Sequence, residues 1–245
     1  MKRGKQGTRV TKFISFDMDG TLIDSEFTDW VWGHGIPALY AEKRGVPFEE
    51  AKAYVEAEYR KVGEGAVEWY DIQYWFRFFQ LDSSWRDLME RYVDRINVYP
   101  DVNHTLKRLG DKFPLVLTSN AGREFIDVEM KATGIWRFFD RIFSATSDFR
   151  EVKKTINCYQ RICRVLGAEP QEIVHVGDHY EFDYLIPRTL GIHAFYLDRS
   201  AQQRGDYILW DLRDLEKRLP GDGKRRRLRV LSEGKKAKGF QEKED

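Results

Sequence analysis

Short apolar runs that stop abruptly at polar residues recur along the chain. Phe13-Ile14-Ser15-Phe16 ends at Asp17-Met18-Asp19-Gly20-Thr21, and Pro114 to Asn120, Arg141 to Ser144, Ile173 to Asp178 and Ile192 to Leu197 are built alike. Their length suits buried strands better than helices. Between them lie helical patterns, Asp101 to Gly110, Arg123 to Gly134, Lys153 to Gly167 and Tyr180 to Leu190, several closed by a glycine as helix C-termini favour. Strands alternating with helices predict an α/β fold with a doubly wound parallel sheet, in which ligands bind beyond the carboxyl ends of the strands. Those ends are where the polar residues fall.

Ser25 to Val98 breaks the rhythm. It lacks strand-like runs and has helical spacing over 49–62, 66–79 and 85–96, so it predicts a helical insertion, with core residues 1–24 and 99–220 on either side. Five of the seven tryptophans lie within it, and seven aromatics crowd the eleven residues from Trp69 to Phe79. On one continuous helix Trp69, Phe76 and Phe79 would share one stripe and Tyr70, Tyr74 and Phe78 another. The first is expected to fill the insertion's own core; from the second, a residue is expected at the interface with the sheet.

Composition narrows the class. Charged residues make up 33% and hydrophobic residues 42% of 245, a globular balance. No apolar run approaches the length of a membrane span, and the basic start is followed by too short an apolar run for a secretory signal. Cys158 and Cys163 are the only cysteines, spaced for neither a redox pair nor zinc, so they read as packing residues of a cytoplasmic protein. Net charge is +1, which argues against a nucleic-acid binder. Residues 221–245 hold nine Lys/Arg against five Asp/Glu and few apolar residues, a basic and flexible tail. That tail keeps open a non-enzymatic role at nucleic acid or a charged surface.

Asp17 and Asp19, two residues apart after a strand, repel one another unless a cation is present; alone they could be a solvated Asp-Gly turn. They are not alone. Thr118/Ser119, Lys153/Lys154 and Gly177-Asp178 with Asp183 follow in order, each at a predicted strand end or helix start. In order and spacing, from Phe13 to about Leu197, these motifs resemble the haloacid dehalogenase superfamily: Asp17-Met18-Asp19-Gly20-Thr21-Leu22 is similar to its first motif, Ser119-Asn120 to its second, a lysine before Gly167 to its third, and Gly177-Asp178-His179-Tyr180-Glu181-Phe182-Asp183 to its fourth. The insertion stands where that family carries its C1 cap.

The resemblance implies a Rossmann-like core with a helical cap and a Mg²⁺-dependent phosphohydrolase acting on a small phosphorylated metabolite. It implies that Asp17 attacks phosphorus and that the Asp19 side chain protonates the leaving oxygen and later activates water. Ser119 and Lys153 would bind the phosphoryl oxygens together with Gly20, Thr21 and Asn120. The metal would take Asp17, the Asp19 backbone carbonyl and Asp178, with Asp183 acting indirectly by orienting the lysine or a bound water. These roles match what phosphoryl transfer requires: an in-line nucleophile, charge neutralisation and an acid. The family's dehalogenases lack the second Asp, because halide needs no proton, so Asp19 points to phosphate chemistry. A phosphosugar mutase of the same family is the alternative. Lys154 stands where the family usually has proline, which leaves Lys153 and Lys154 both open, spacing favouring Lys153. Both lysines are expected at a helix N-terminus. Asn120 either supports the nucleophile loop or caps the next helix. Neither the substrate nor the oligomeric state can be read from the chain.

Overall fold

A computed structural model describes residues 10–219 except Lys154; the tail 221–245 and the choice of Lys154 lie outside the described residues. Six parallel strands, β1 (Phe13–Phe16), β2 (Leu115–Ser119), β3 (Arg141–Ser144), β4 (Ile173–Gly177), β5 (His193–Leu197) and β6 (Ile208–Leu209), form one sheet in the order β3-β2-β1-β4-β5-β6. β1 lies at the centre, with Ile14 opposite both Leu115 and Val174, and Phe16 opposite Leu117 and Val176. The order reverses between β1 and β4, where a doubly wound sheet opens its ligand crevice.

Strand alternation divides the core into two layers. Ile14, Phe16, Leu115, Leu117, Val174 and Val176 face the helices Val102–Gly110 and Arg123–Thr133, while Phe13, Val116 and Ile173 face the helix Ile156–Leu166. Cys158 and Cys163 belong to the second layer, where burial pushes their thiols up to about 12 and about 11, so both pack as apolar groups. β6 has only two residues and no sequence run of its own; pairing with β5 alone makes it a strand.

The chain leaves and rejoins the sheet through neighbouring crossings. Ile23 forms an antiparallel bridge with Val98, the Asp24 N–H donates to the Asn97 carbonyl (3.0 Å), and the Tyr99 N–H donates to the Leu22 carbonyl (3.1 Å). Between these crossings lie the helices Glu26–Trp30, Ile36–Arg44, Phe48–Val62, Ile72–Phe78 and Trp85–Glu90 around a core of Phe27, Val55, Trp75, Phe76 and Phe79, to which Phe125 of the helix Arg123–Thr133 contributes.

The expected single helix over 66–79 is two elements. A 3-10 turn, Val67–Tyr70, ends at Asp71, whose carboxylate accepts the Tyr74 N–H (2.9 Å) and starts a new helix at Ile72. That break dissolves the two expected stripes. Likewise the helix expected from Lys153 starts at Ile156, capped by Thr155, so Lys153 precedes it in a loop. The helix expected over 85–96 stops at Glu90 and resumes as a 3-10 turn at Val93–Arg95, and the element after Tyr180 opens as a wide π-type turn before Ile186–Leu190.

Candidate active site

Asp17 follows β1 directly, and its N–H donates to the Val176 carbonyl (2.9 Å), so the residue continues the strand into the crevice. Beyond it Met18 to Ile23 folds into a tight loop. The Gly20 N–H donates to the Ile23 carbonyl (2.7 Å) and the Thr21 N–H to the Met18 carbonyl (3.2 Å). Gly20 is required there: its φ is +73° and a Cβ would stand 2.2 Å from Asp178 Oδ2. Gly177 makes the same concession, since a Cβ would stand 2.3 Å from Asp183 Cγ. Two glycines thus let Asp178 and Asp183 crowd against the ends of β1 and β4.

Lys153 ties these carboxylates together. Its ammonium donates to Asp17 Oδ1 and Asp183 Oδ1, both at 2.6 Å, and to the Thr118 carbonyl at 3.2 Å, with only 2% of the side chain exposed. Asn120 fixes the lysine's backbone, its Oδ1 accepting the Lys153 N–H (2.7 Å). The Asp183 carboxylate also accepts the His179 N–H (3.0 Å) and contacts His175 Nε2 (3.1 Å). His175 continues through Ser15 to Thr118 as a chain of buried hydrogen bonds beneath the site. Oxygens of Asp17, Asp178 and Asp183 lie within 4.8 Å of one another. Above them is a cavity of about 400 Å³, lined among others by Asp17, Asp19, Ser119, Asn120, Lys153 and Asp178.

The haloacid dehalogenase-like hydrolase profile matches residues 11–191, which carry all of these side chains. The chain belongs to the haloacid dehalogenase-like hydrolases. The chain is 26% identical over 167 residues to the GMP/IMP nucleotidase YrfG of Escherichia coli (strain K12), covering 67% of this chain and 73% of that one. It is 29% identical over 172 residues to the pyrophosphatase PpaX of Bacillus cereus (strain AH820), covering 68% and 74%. A crystal structure of a HAD phosphatase from Thermococcus onnurineus superposes with a TM-score of 0.76 at 28% identity, covering 87% of this chain and all of that one. Family and relatives make this haloacid dehalogenase-like hydrolase a phosphatase.

The charges of this hydrolase's site are not balanced by its own cation. Burial opposes charge on both Asp183 and Lys153, yet Lys153 holds the Asp183 carboxyl well below the usual range, and Asp17 and then Asp183 hold the Lys153 ammonium above it. Asp17 shares the same ammonium but is pushed well up by burial and by Asp183, and Asp178 is pushed up to about 6 by burial and then Asp183. One lysine therefore faces three carboxylates, which leaves the cluster short of positive charge. That deficit and the all-oxygen donor set fit a hard divalent cation, and members of this family generally use Mg²⁺.

Of the residues expected at the phosphate, Ser119, Asn120 and Lys153 line the cavity. Gly20 and Thr21 do not. Their amides are spent on the turn, and the Thr21 hydroxyl donates to Asp178 Oδ1 (2.9 Å). Asn120 does not cap the following helix, which starts at Arg123 after Gly122 and has no side-chain cap. Trp69 and Tyr70 both line the cavity although they were expected on opposite stripes, whereas Tyr74 and Phe78 stack on each other away from it, Phe78 being 44% exposed. The turn carrying Tyr70 packs on Gly122, where a Cβ would stand 3.0 Å from the Tyr70 carbonyl. Burial raises the Tyr70 phenol to about 12.

Glu129 escaped the sequence reading. It is fully buried on the helix Arg123–Thr133, close enough to Asp19 for that charge to raise its carboxyl, and among the described residues Asp19 Oδ1 and both Glu129 oxygens are buried with no hydrogen-bond partner. Two buried carboxyls near one another each oppose the other's charge. Burial lifts Asp19 to about 7, and burial with the Asp19 charge lifts Glu129 well above its ordinary range. A signal existed: Phe125, Ile126, Glu129 and Met130 form one helical stripe, and a carboxylate within an apolar stripe asks for a partner.

Proposed function

We propose that this phosphatase hydrolyses a small phosphate monoester with Mg²⁺, through an aspartyl-phosphate on Asp17. The observation that carries the reading is the pair of acids on one wall: Asp17 held against Lys153, and two residues on Asp19, whose buried carboxyl favours the protonated form near neutrality. Asp17 attacks phosphorus; the new bond joins its carboxylate oxygen to phosphorus while the ester P–O bond breaks. Asp19 gives its proton to the departing alkoxide, then takes one from the water that cleaves the acyl-phosphate and returns the Asp17 carboxylate. Lys153 and Ser119 hold the charge on the phosphoryl oxygens. Asp17, Asp178 and the Asp19 backbone carbonyl would hold Mg²⁺, which supplies the positive charge that lets a carboxylate approach a phosphate dianion. Asp183 keeps Lys153 in place.

We assign residues 25–98 as a cap that closes over this site and 1–24 with 99–220 as the core. Five helices between two adjacent crossings, with Trp69 and Tyr70 reaching the cavity, support that division. The relatives named above include a nucleotidase and a pyrophosphatase, in keeping with a small phosphorylated substrate. Among the described residues no helix is long and apolar enough to cross a membrane, and two buried free thiols suit the cytoplasm. The test is inorganic phosphate release from a panel of phosphorylated metabolites with Mg²⁺. Release from at least one, lost in Asp17→Asn, is expected; transfer of the phosphoryl group between sugar positions without release would instead make the protein a mutase.

A further inference from the structure

Outside the four motifs, an arginine reaches the loop that follows β1. Arg199 comes just after β5, where Asp198 turns the chain by accepting the Ser200 N–H (3.1 Å) and the Gln203 N–H (2.6 Å). Arg199 Nη1 and Nη2 donate to the two carboxylate oxygens of Asp101, each at 3.2 Å, and Nη2 also donates to the Thr21 carbonyl. Asp101 is 3% exposed. It stands at the start of the helix Val102–Gly110, yet its carboxylate does not cap that helix and instead takes Arg199 and the Leu212 N–H (2.7 Å). The Tyr99 ring centre lies 3.7 Å from the guanidinium carbon. A planar fork suits the Asp101 carboxylate and leaves a further N–H for the Thr21 carbonyl, a combination that an ammonium does not copy.

Thr21 carries the connection onward. Its carbonyl is held by Arg199, and its fully buried hydroxyl donates to Asp178 Oδ1 (2.9 Å). The Asp178 carboxylate also occupies the space where a Cβ on Gly20 would stand, so the loop confines it from two sides. A single residue thus links an ion pair at the end of β5 to one of the three carboxylates gathered at the site.

We propose that Arg199 is a positioning residue for the Mg²⁺ site: paired with Asp101, it fixes the Thr21 peptide so that the Thr21 hydroxyl sets the rotation of the Asp178 carboxylate. This rests on the reading of Asp178 as a Mg²⁺ ligand. Without the guanidinium the Thr21 carbonyl loses its hold and the loop from Met18 to Ile23 gains freedom. The carboxylate must then be ordered as the metal binds, and that ordering weakens the affinity.

Titration calorimetry of the full chain with Mg²⁺ alone tests it, without substrate or turnover. The unaltered protein should bind Mg²⁺ and Asp178→Asn should lose that binding. Thr21→Val, which removes the hydroxyl, should weaken Mg²⁺ by about 10- to 100-fold, and Arg199→Lys, which keeps a charge opposite Asp101 without the fork, by about tenfold. Thr21→Ser should recover most of the affinity. The double variant Thr21→Val with Arg199→Lys should bind about as Thr21→Val does, because Arg199 acts through that hydroxyl. If Arg199→Lys does not fold, Arg199→Gln combined with Asp101→Asn, which removes both charges of the pair, carries the same expectation. An arginine variant that binds Mg²⁺ within threefold of the unaltered protein, whatever its melting temperature, overturns the proposal and leaves Asp178 as a ligand. So does a double variant weakened by the product of the two single factors. If Asp178→Asn binds Mg²⁺ as the unaltered protein does, the metal reading fails and the proposal with it.

Discussion

Lys153 Nζ stands 2.6 Å from Asp183 Oδ1, and neither side chain is open to solvent. Removing a buried partner leaves an uncompensated charge, a loss of about 3–5 kcal/mol. Lys153→Ala should therefore lower the melting temperature as well as kcat, whereas Lys153→Arg, which keeps the charge but not the fit, should restore stability more than turnover. Thermal unfolding beside steady-state rates checks this; a Lys153→Ala protein with unchanged kcat removes the lysine from the reaction.

Asp17→Asn should drop turnover below about 1%, because an amide is no nucleophile. Its melting temperature without metal should not fall and should rise slightly, since burial and Asp183 oppose the Asp17 charge. A marked loss of stability would mean that the Lys153 contact outweighs that repulsion.

Glu129 is buried near Asp19 on a helix outside the motif, so the proposed leaving-group step should depend on it. Asp19→Asn should lose more rate on an alkyl phosphate than on an aryl phosphate, whose leaving oxygen needs less help from an acid. Glu129→Leu should move the alkyl-to-aryl ratio the same way by a smaller factor, and Glu129→Gln, which keeps a polar group near Asp19, should recover most of it. If Glu129→Leu changes stability alone, Glu129 serves packing.

Metal dependence follows from the unbalanced carboxylates. EDTA should abolish turnover, Mg²⁺ restore it, and Ca²⁺ inhibit, because its larger and looser coordination would misplace Asp17 for in-line attack. Phosphate release in each ion reads this directly; full activity in Ca²⁺ alone contradicts the geometry.

His175 predicts a pH effect on stability. Burial holds its imidazole below the ordinary value of 6.5, although Asp183 pulls the other way. The unfolded chain thus takes up a proton that the folded chain refuses, so this contribution is complete above about pH 6.5 and is lost as pH falls below it. The raised carboxylates act oppositely but are common to both proteins in a comparison. His175→Asn should be less stable throughout yet lose less on going from about pH 8 to pH 5.5; parallel melting curves would show that His175 does not titrate.

Much of this protein was written in local pattern. The strand runs, the glycines after them and the spacing from Asp17 to Asp183 are consequences of backbone geometry within a few residues, so β1 to β5 and the positions of Asp17, Ser119, Lys153 and Asp178 beside one another could be anticipated. Tertiary structure decided the rest. Asp71 breaks what periodicity alone reads as one helix, because its carboxylate takes the Tyr74 N–H, and that break turns Trp69 toward the cavity and leaves Phe78 outside. Thr21 looks like a phosphate ligand until Asp178 arrives from a strand 157 residues away to take its hydroxyl. Glu129 is an ordinary helical glutamate until the helix packs on the sheet and buries its carboxyl near Asp19. Periodicity and motif spacing act along the chain, whereas desolvation and charge pairing depend on distance through space, and only folding sets those distances.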